Sequence, residues 1–117
     1  MGNFTAALEV ANTDWHITLC FCKAEKLGRF RTGHEATASC KVIDVKHWKD
    51  HDITVLIFDN PPGGLIDRRH NYYKKLGYGY DHEFIPHATV AKGNQVDKFK
   101  HYIGKSLMVG GEYARTF

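Results

Sequence analysis

His16-Ile17-Thr18-Leu19 and His87-Ala88-Thr89-Val90 repeat one pattern, His, apolar, Thr, apolar, once in each half of the sequence. On a β-strand, side chains alternate between faces. His16, Thr18, Cys20 and Cys22 then share one face, with Ile17, Leu19 and Phe21 on the other. The same arithmetic sets His87, Thr89 and Ala91 opposite Ala88 and Val90. Each strand can bury an apolar face and turn a His–Thr pair away from the core. Two such strands side by side near the middle of a sheet would gather two imidazoles and two hydroxyls on one concave surface.

That set of groups suits phosphodiester cleavage by general acid–base chemistry. One neutral imidazole takes the proton of an attacking hydroxyl, and one protonated imidazole gives a proton to the departing oxygen. Histidine titrates near neutrality, so both forms are accessible around pH 7. Each Thr hydroxyl can donate to a non-bridging phosphate oxygen and stabilise the charge that builds there. The scheme needs no metal and no cofactor.

The elements that must position these groups are legible in the patterning. Residues 4–11 read as a strand ending in a turn at Asn12-Thr13-Asp14, and residues 15–22 as its hairpin partner. Residues 23–34 are charged and read as loop, with one helical turn around "AEKLGRF". Residues 35–48 alternate as a strand, and the β-branched run 53–60 suits a strand covered on both faces. Leu65, Ile66, Tyr72, Tyr73 and Leu76 fall on one stripe of a helix that Gly77 can end. The second motif follows on a strand over 84–92. Asn94 can cap a second helix with the stripe Val96, Phe99, Ile103, stopped by Gly104, and the last strand is interrupted by Gly110 and Gly111. The fold class expected is α+β: a mostly antiparallel sheet forming a concave cleft, with two helices packed on its outer face.

A chain of 117 residues suffices for one domain, 1–117, around one core. Apolar residues are 43% and charged residues 25%, an ordinary globular balance that argues against a disordered or fibrous chain. The formal charge of +3 suits a small anionic ligand rather than long nucleic acid. No apolar run reaches the length of a membrane span, and the N-terminal stretch lacks a leader pattern. Ala6 stands where a myristoylation signal after Gly2 expects Ser or Thr. Three cysteines, an odd number with Cys20 and Cys22 too close to bridge, fit reduced thiols in a cytoplasm.

The paired motifs, the second introduced by Pro86, resemble those of the two-histidine phosphoesterase superfamily. The stretch from "LIFDN" through "LIDRRHNYYKKLGY" to "DHEFIPHATVAKG" is similar to the phage-encoded anti-CBASS branch, which destroys cyclic di- and trinucleotide alarm signals of the infected bacterial cell. The resemblance implies a two-lobed fold and a metal-independent attack by a ribose 2′-hydroxyl on the adjacent 3′–5′ phosphate. It makes His16 and His87 the base and acid in either order, with Thr18 and Thr89 on the phosphate. It also implies nucleotide contact from the C-terminal strand, where Glu112 is the matching position. Two departures stand out. Only about four residues separate the first strand from the first motif where relatives place a helix, so the first lobe reads as trimmed. Thr5, with Phe4 beside it, stands where relatives carry a base-stacking aromatic, which shifts stacking to Trp48, Tyr113 or Phe117. A relative that processes RNA ends bearing a 2′,3′-cyclic phosphate or a 2′–5′ link is the alternative within the superfamily. A nucleotide-sequestering module without turnover is the alternative outside it.

Other constellations compete. Cys20-x-Cys22 with His47 and His51 supplies two sulfurs and two nitrogens, but the Cys interval is too short for a structural zinc site. Cys20 is expected on the cleft floor instead, with His47 and His51 in a polar turn. Arg68 and Arg69 are open between a phosphate contact and a solvated face, while one of Tyr72 and Tyr73 is expected in the core. His34, His70, His82 and His101 have no partner at comparable spacing and read as surface residues.

Overall fold

The computed structural model describes residues 2–24, 29–78 and 83–116. β1 (Gly2–Val10) and β2 (His16–Ala24) form the expected antiparallel hairpin. Asn12 turns the chain with φ 62°, a left-handed conformation that Asn tolerates. Thr13 Oγ1 donates to Val10 O and accepts from Trp15 N, closing the turn.

The expected helical turn near residue 26 is replaced, where the chain is described, by a short strand, β3 (Arg29–Arg31); residues 25–28 lie outside the described residues. The cause is the long last strand, β7 (Ser106–Thr116). One edge of β7 pairs with β1, while on the other β4 (Ala38–Trp48) covers only Ser106–Val109 before turning away. β3 takes the exposed backbone groups of Tyr113–Arg115 that β4 leaves behind.

A register shift at Ile43 swings β4 from β7 onto β5 (Ile53–Phe58), and β5 pairs in turn with β6 (His87–Lys92). All pairings are antiparallel, and the strand order is β2-β1-β7-β4-β5-β6, with β3 beside β7. Thr54 through Phe58 are all buried, as a strand covered on both faces requires. The architecture is the α+β class read from the sequence.

α1 (Leu65–Lys75) closes one face of the sheet. Its buried residues are Leu65, Ile66, His70 and Tyr73; Tyr72 and Leu76, which the spacing placed on the same stripe, are exposed at 46% and 53%. A helix of three turns on a curved sheet buries a narrow seam, and His70 occupies the place in it that Tyr72 was expected to fill. Gly77 ends the helix with φ 89°. α2 (Val96–Phe99) is a single turn running into a 3₁₀ turn, Lys100–Tyr102. The N-cap position falls on Gln95 rather than on the expected Asn94, one residue earlier, whose Oδ1 accepts from Val96 N, and Phe99 and Tyr102 pack edge-on against Trp15. Ile103 does not join them; it is exposed, because the chain has left the helix before reaching it.

One core runs under both halves of the sheet: Leu8, Ile17 and Leu19 from the first hairpin, Val42, Leu56, Phe58 and Ala88 from the second half, and Leu65, Ile66 and Tyr73 from α1. Among the described residues no helix is long and apolar enough to cross a membrane.

Candidate active site

Ile17, Leu19 and Ala88 belong to this single core, so His16, Thr18, His87 and Thr89 lie on the sheet face turned away from it. Thr89 and His16 are exposed, and Thr18 and His87 are half-buried. The two motif strands are not the neighbours near the middle of the sheet that the repeated motif suggests. They are its two end strands. Coiling of the sheet nevertheless brings β2 and β6 together, with Cα–Cα separations of 8 Å or less.

The first motif departs from simple alternation. Ala6 pairs with Cys20 and Ala7 with Thr18, which leaves Leu19 as an extra residue in a β-bulge. Up to Thr18 the faces are as expected. Beyond the bulge they exchange, so Cys20 enters the core fully buried, Cys22 packs against that core, and Phe21 is turned outward. Cys20 therefore does not floor the cleft. Burial pushes its thiol up to about 12, with Cys22 and Glu112 adding to the rise and the bond to Ala6 opposing it. A thiol so placed carries about a thousandfold less thiolate at neutral pH than an ordinary one. A short alkylation pulse on the folded protein should therefore label Cys22 alone, with Cys20 and Cys40 reacting only after denaturation. Native labelling of Cys20, read by peptide mass, would contradict the bulged register.

Across the ladder Thr18, Ala7 and Tyr113 lie side by side, because Ala7 pairs with both its neighbours. The small Ala7 leaves room between a hydroxyl and an aromatic ring. Tyr113 stands edge-on to His16 at 6.4 Å between ring centres, and Glu9 is the cross-strand partner of His16. Glu9, Asp14, Trp15, His16 and Tyr113 line one hollow of about 250 Å³.

On the second half, His87 pairs with Ile57 and Thr89 with Val55, both of them buried. His87 Nδ1 donates to Ile85 O at 2.7 Å, and its ring lies 4.4 Å from that of Trp48. A carbonyl oxygen can only accept, so Nδ1 carries the proton and Nε2 of the neutral ring keeps its lone pair. Burial holds the imidazole below its ordinary value, partly offset by the bond to Ile85. Trp48 and Tyr113 thus each stand beside one motif histidine. Phe117 lies outside the described residues, as does His82.

Glu112 sits elsewhere. Leu8 of β1 faces two residues of β7, Gly111 and Glu112, because Ala7 pairs with Tyr113 and Glu9 with Gly110. Gly111 adopts φ 62°, and at Gly110 a Cβ would come 2.5 Å from the Thr37 methyl group. The bulge that these glycines permit turns the Glu112 side chain, 0% exposed, toward α1. Its Oε1 accepts from Arg69 Nε at 2.6 Å, and its Oε2 accepts from Arg69 Nη2, Tyr73 OH and Thr32 Oγ1. Burial alone would raise this carboxyl; the bonds from Arg69, Thr32 and Tyr73 and the charge of Arg69 outweigh it and hold the carboxyl below its usual range. Burial, with the bond to Glu112, raises the Tyr73 hydroxyl. Both Glu112 oxygens are thus engaged within the protein, and Arg69, also lying over the Tyr72 ring at 4.3 Å, is paired with that carboxylate. Arg68 is exposed.

Three histidines expected at the surface divide. His101 is exposed against Tyr102, whereas His34 is half-buried and His70 is 9% exposed. His47 Nε2 bonds Asp52 Oδ1 at 2.8 Å beside the turn that carries His51, away from Cys20 in the core. A hollow of about 180 Å³ at the start of α1, lined by Ser39, Lys41, Asp59 and Ser106, contains neither motif.

The family model described as anti-CBASS protein Acb1 matches residues 3–116, taking in the first hairpin and both motifs. The chain belongs to that family. Membership makes it an anti-CBASS protein, serving phage evasion of host immunity. A comparison with the curated proteins finds no match.

Proposed function

We propose that this anti-CBASS protein is a two-histidine phosphodiesterase that opens the 3′–5′ bonds of cyclic di- or trinucleotide immune signals without a metal, in the cytoplasm of the infected cell. The observation that carries the reading is the presence of both His–Thr pairs on one face of a sheet whose end strands meet. His87 acts as base: neutral, with Nε2 available, it takes the proton of a ribose 2′-hydroxyl. The 2′-oxygen bonds to phosphorus, the bond to the 5′-oxygen breaks, and His16 gives that oxygen its proton. Water then opens the 2′,3′-cyclic phosphate with the two roles exchanged. Thr18 and Thr89 donate to the non-bridging oxygens, and Trp48 and Tyr113 offer their rings to the bases.

The test is chromatography of a panel of cyclic di- and trinucleotides after exposure to the protein with a strong chelator, beside an RNA ending in a 2′,3′-cyclic phosphate. Linearised nucleotides are expected in the first arm. Turnover of the RNA alone would move the protein to the RNA-processing branch, and tight binding with every ligand recovered intact would make it a sequestering module.

The state of His87 also fixes a pH dependence. A base held below its ordinary value stays competent to lower pH, so the acid limb of kcat/KM should be centred below pH 6.5. An acid limb centred at or above 6.5 would remove His87 from the base role.

A further inference from the structure

His70 stands at one remove from both motifs. It is the polar member of the buried seam of α1, and an imidazole in that position costs stability unless it is hydrogen-bonded. Its Nδ1 donates to Leu19 O at 2.8 Å. Leu19 is the extra residue of the β2 bulge, the one that keeps Thr18 on the cleft face while sending Cys20 into the core. Its carbonyl is thus held from a helix, at the point where the register with β1 shifts.

The other side of His70 reaches the second motif. Its ring is stacked on Phe84, 3.8 Å between centres and 3° from parallel. Phe84 immediately precedes Ile85, whose carbonyl accepts the Nδ1 proton of His87. One side chain on α1 therefore touches the residue after Thr18 and the residue before the carbonyl that orients His87. The end strands β2 and β6 share no ladder, so their relative placement depends on such bridges.

We propose that His70 is a positioning residue that clamps the two motif strands into a common frame, through Leu19 O on β2 and through Phe84 on the approach to β6. The proposal rests on the phosphodiesterase reading for its effect on turnover, but not for its effect on His87. The two contacts are separable. His70→Asn keeps a donor near the Nδ1 position and loses the stacked ring; His70→Phe keeps a ring against Phe84 and loses the donor. Phe84→Leu removes the stack while leaving α1 untouched.

Imidazole nitrogen NMR on the ligand-free protein reads the result directly. Wild type should show His87 with its proton on Nδ1. His70→Asn and Phe84→Leu should both convert that signal to a mixture of tautomers, and His70→Phe should leave it as in wild type. On whichever cyclic nucleotide the wild type cleaves, all three variants should lose roughly 10–10²-fold in kcat with KM changed little, the scale expected when reacting groups are displaced by about an ångström. An unchanged His87 signal in both His70→Asn and Phe84→Leu overturns the clamp. So does an equal change in all three variants that follows their thermal midpoints, since that is loosening of the fold at large. If the wild type cleaves nothing, the phosphodiesterase reading fails, yet the tautomer comparison still decides the role of His70.

Discussion

His16→Ala and His87→Ala should each lower turnover of a cyclic nucleotide by roughly 10²–10⁴-fold, the range expected for losing one general acid or base, with little change in binding. The double variant should be scarcely worse than either single one, because acid and base serve the same bond exchange and their losses do not add. His87→Asn is the informative control. It retains a donor for Ile85 O and so keeps the local backbone arrangement, but it lacks Nε2 and should be as inactive as His87→Ala. Thr18→Ala and Thr89→Ala should slow the reaction less, by up to roughly 10³-fold, as the loss of a single phosphate donor does. Single-turnover assays with circular dichroism on each variant would check this. Either histidine variant turning over within tenfold of wild type would end the acid–base assignment.

The motif residues are legible because strand alternation is a local rule, and it holds through Val90 in the second copy and as far as Leu19 in the first. It fails one residue later. The bulge at Leu19 is a property of the β1–β2 register, and nothing in "HITLCFC" marks an extra residue. Alternation alone therefore sets Cys20 on the wrong face. At Glu112 there was a signal, the Gly110-Gly111 pair, which read as an interruption of the last strand; in the structure it is a bulge inside a continuous one. The identity of the carboxylate's partners lay beyond reach, since Arg69, Tyr73 and Thr32 come from a helix and a loop far from it in sequence.

Strand order shows the same division between local and global information. The hairpin, the two-sided burial of β5 and the end of α1 at Gly77 follow from turn residues and apolar patterning. That the motif strands would end up at opposite ends of the strand order and still meet does not, because it depends on the coiling of the whole sheet and on β4 changing partners at Ile43. The burial of His70 is hidden in the sequence for a related reason. Spacing on a helix offers several candidate stripes, and which one is buried is decided by the carbonyl and the ring that the sheet presents to it.

The largest effect on folding should come from Arg69→Met. Arg69 and Glu112 are 14% and 0% exposed, so removing the cation strands a carboxylate in the interior with only the Tyr73 and Thr32 hydroxyls as donors. Breaking a buried pair from one side costs about 3–5 kcal/mol, which urea unfolding at pH 7 can read. The pH dependence gives the sign. In wild type the Glu112 carboxyl is held low, so its contribution to stability is complete above about pH 4.3, the ordinary Glu value, and is lost as pH falls through the folded-state value. Without Arg69, burial dominates and lifts the carboxyl above its unfolded value. The penalty is then present at pH 7 and relieved as the group protonates, so the gap between variant and wild type should narrow from pH 7 to pH 5. Adding Glu112→Leu should recover much of the loss, because the stranded charge goes with it. A cost below about 1 kcal/mol for Arg69→Met, or a gap that widens on acidification, would mean that the pair does not anchor β7. It would also leave the orientation of Tyr113, next in the chain and on the opposite face of the bulge, without an explanation.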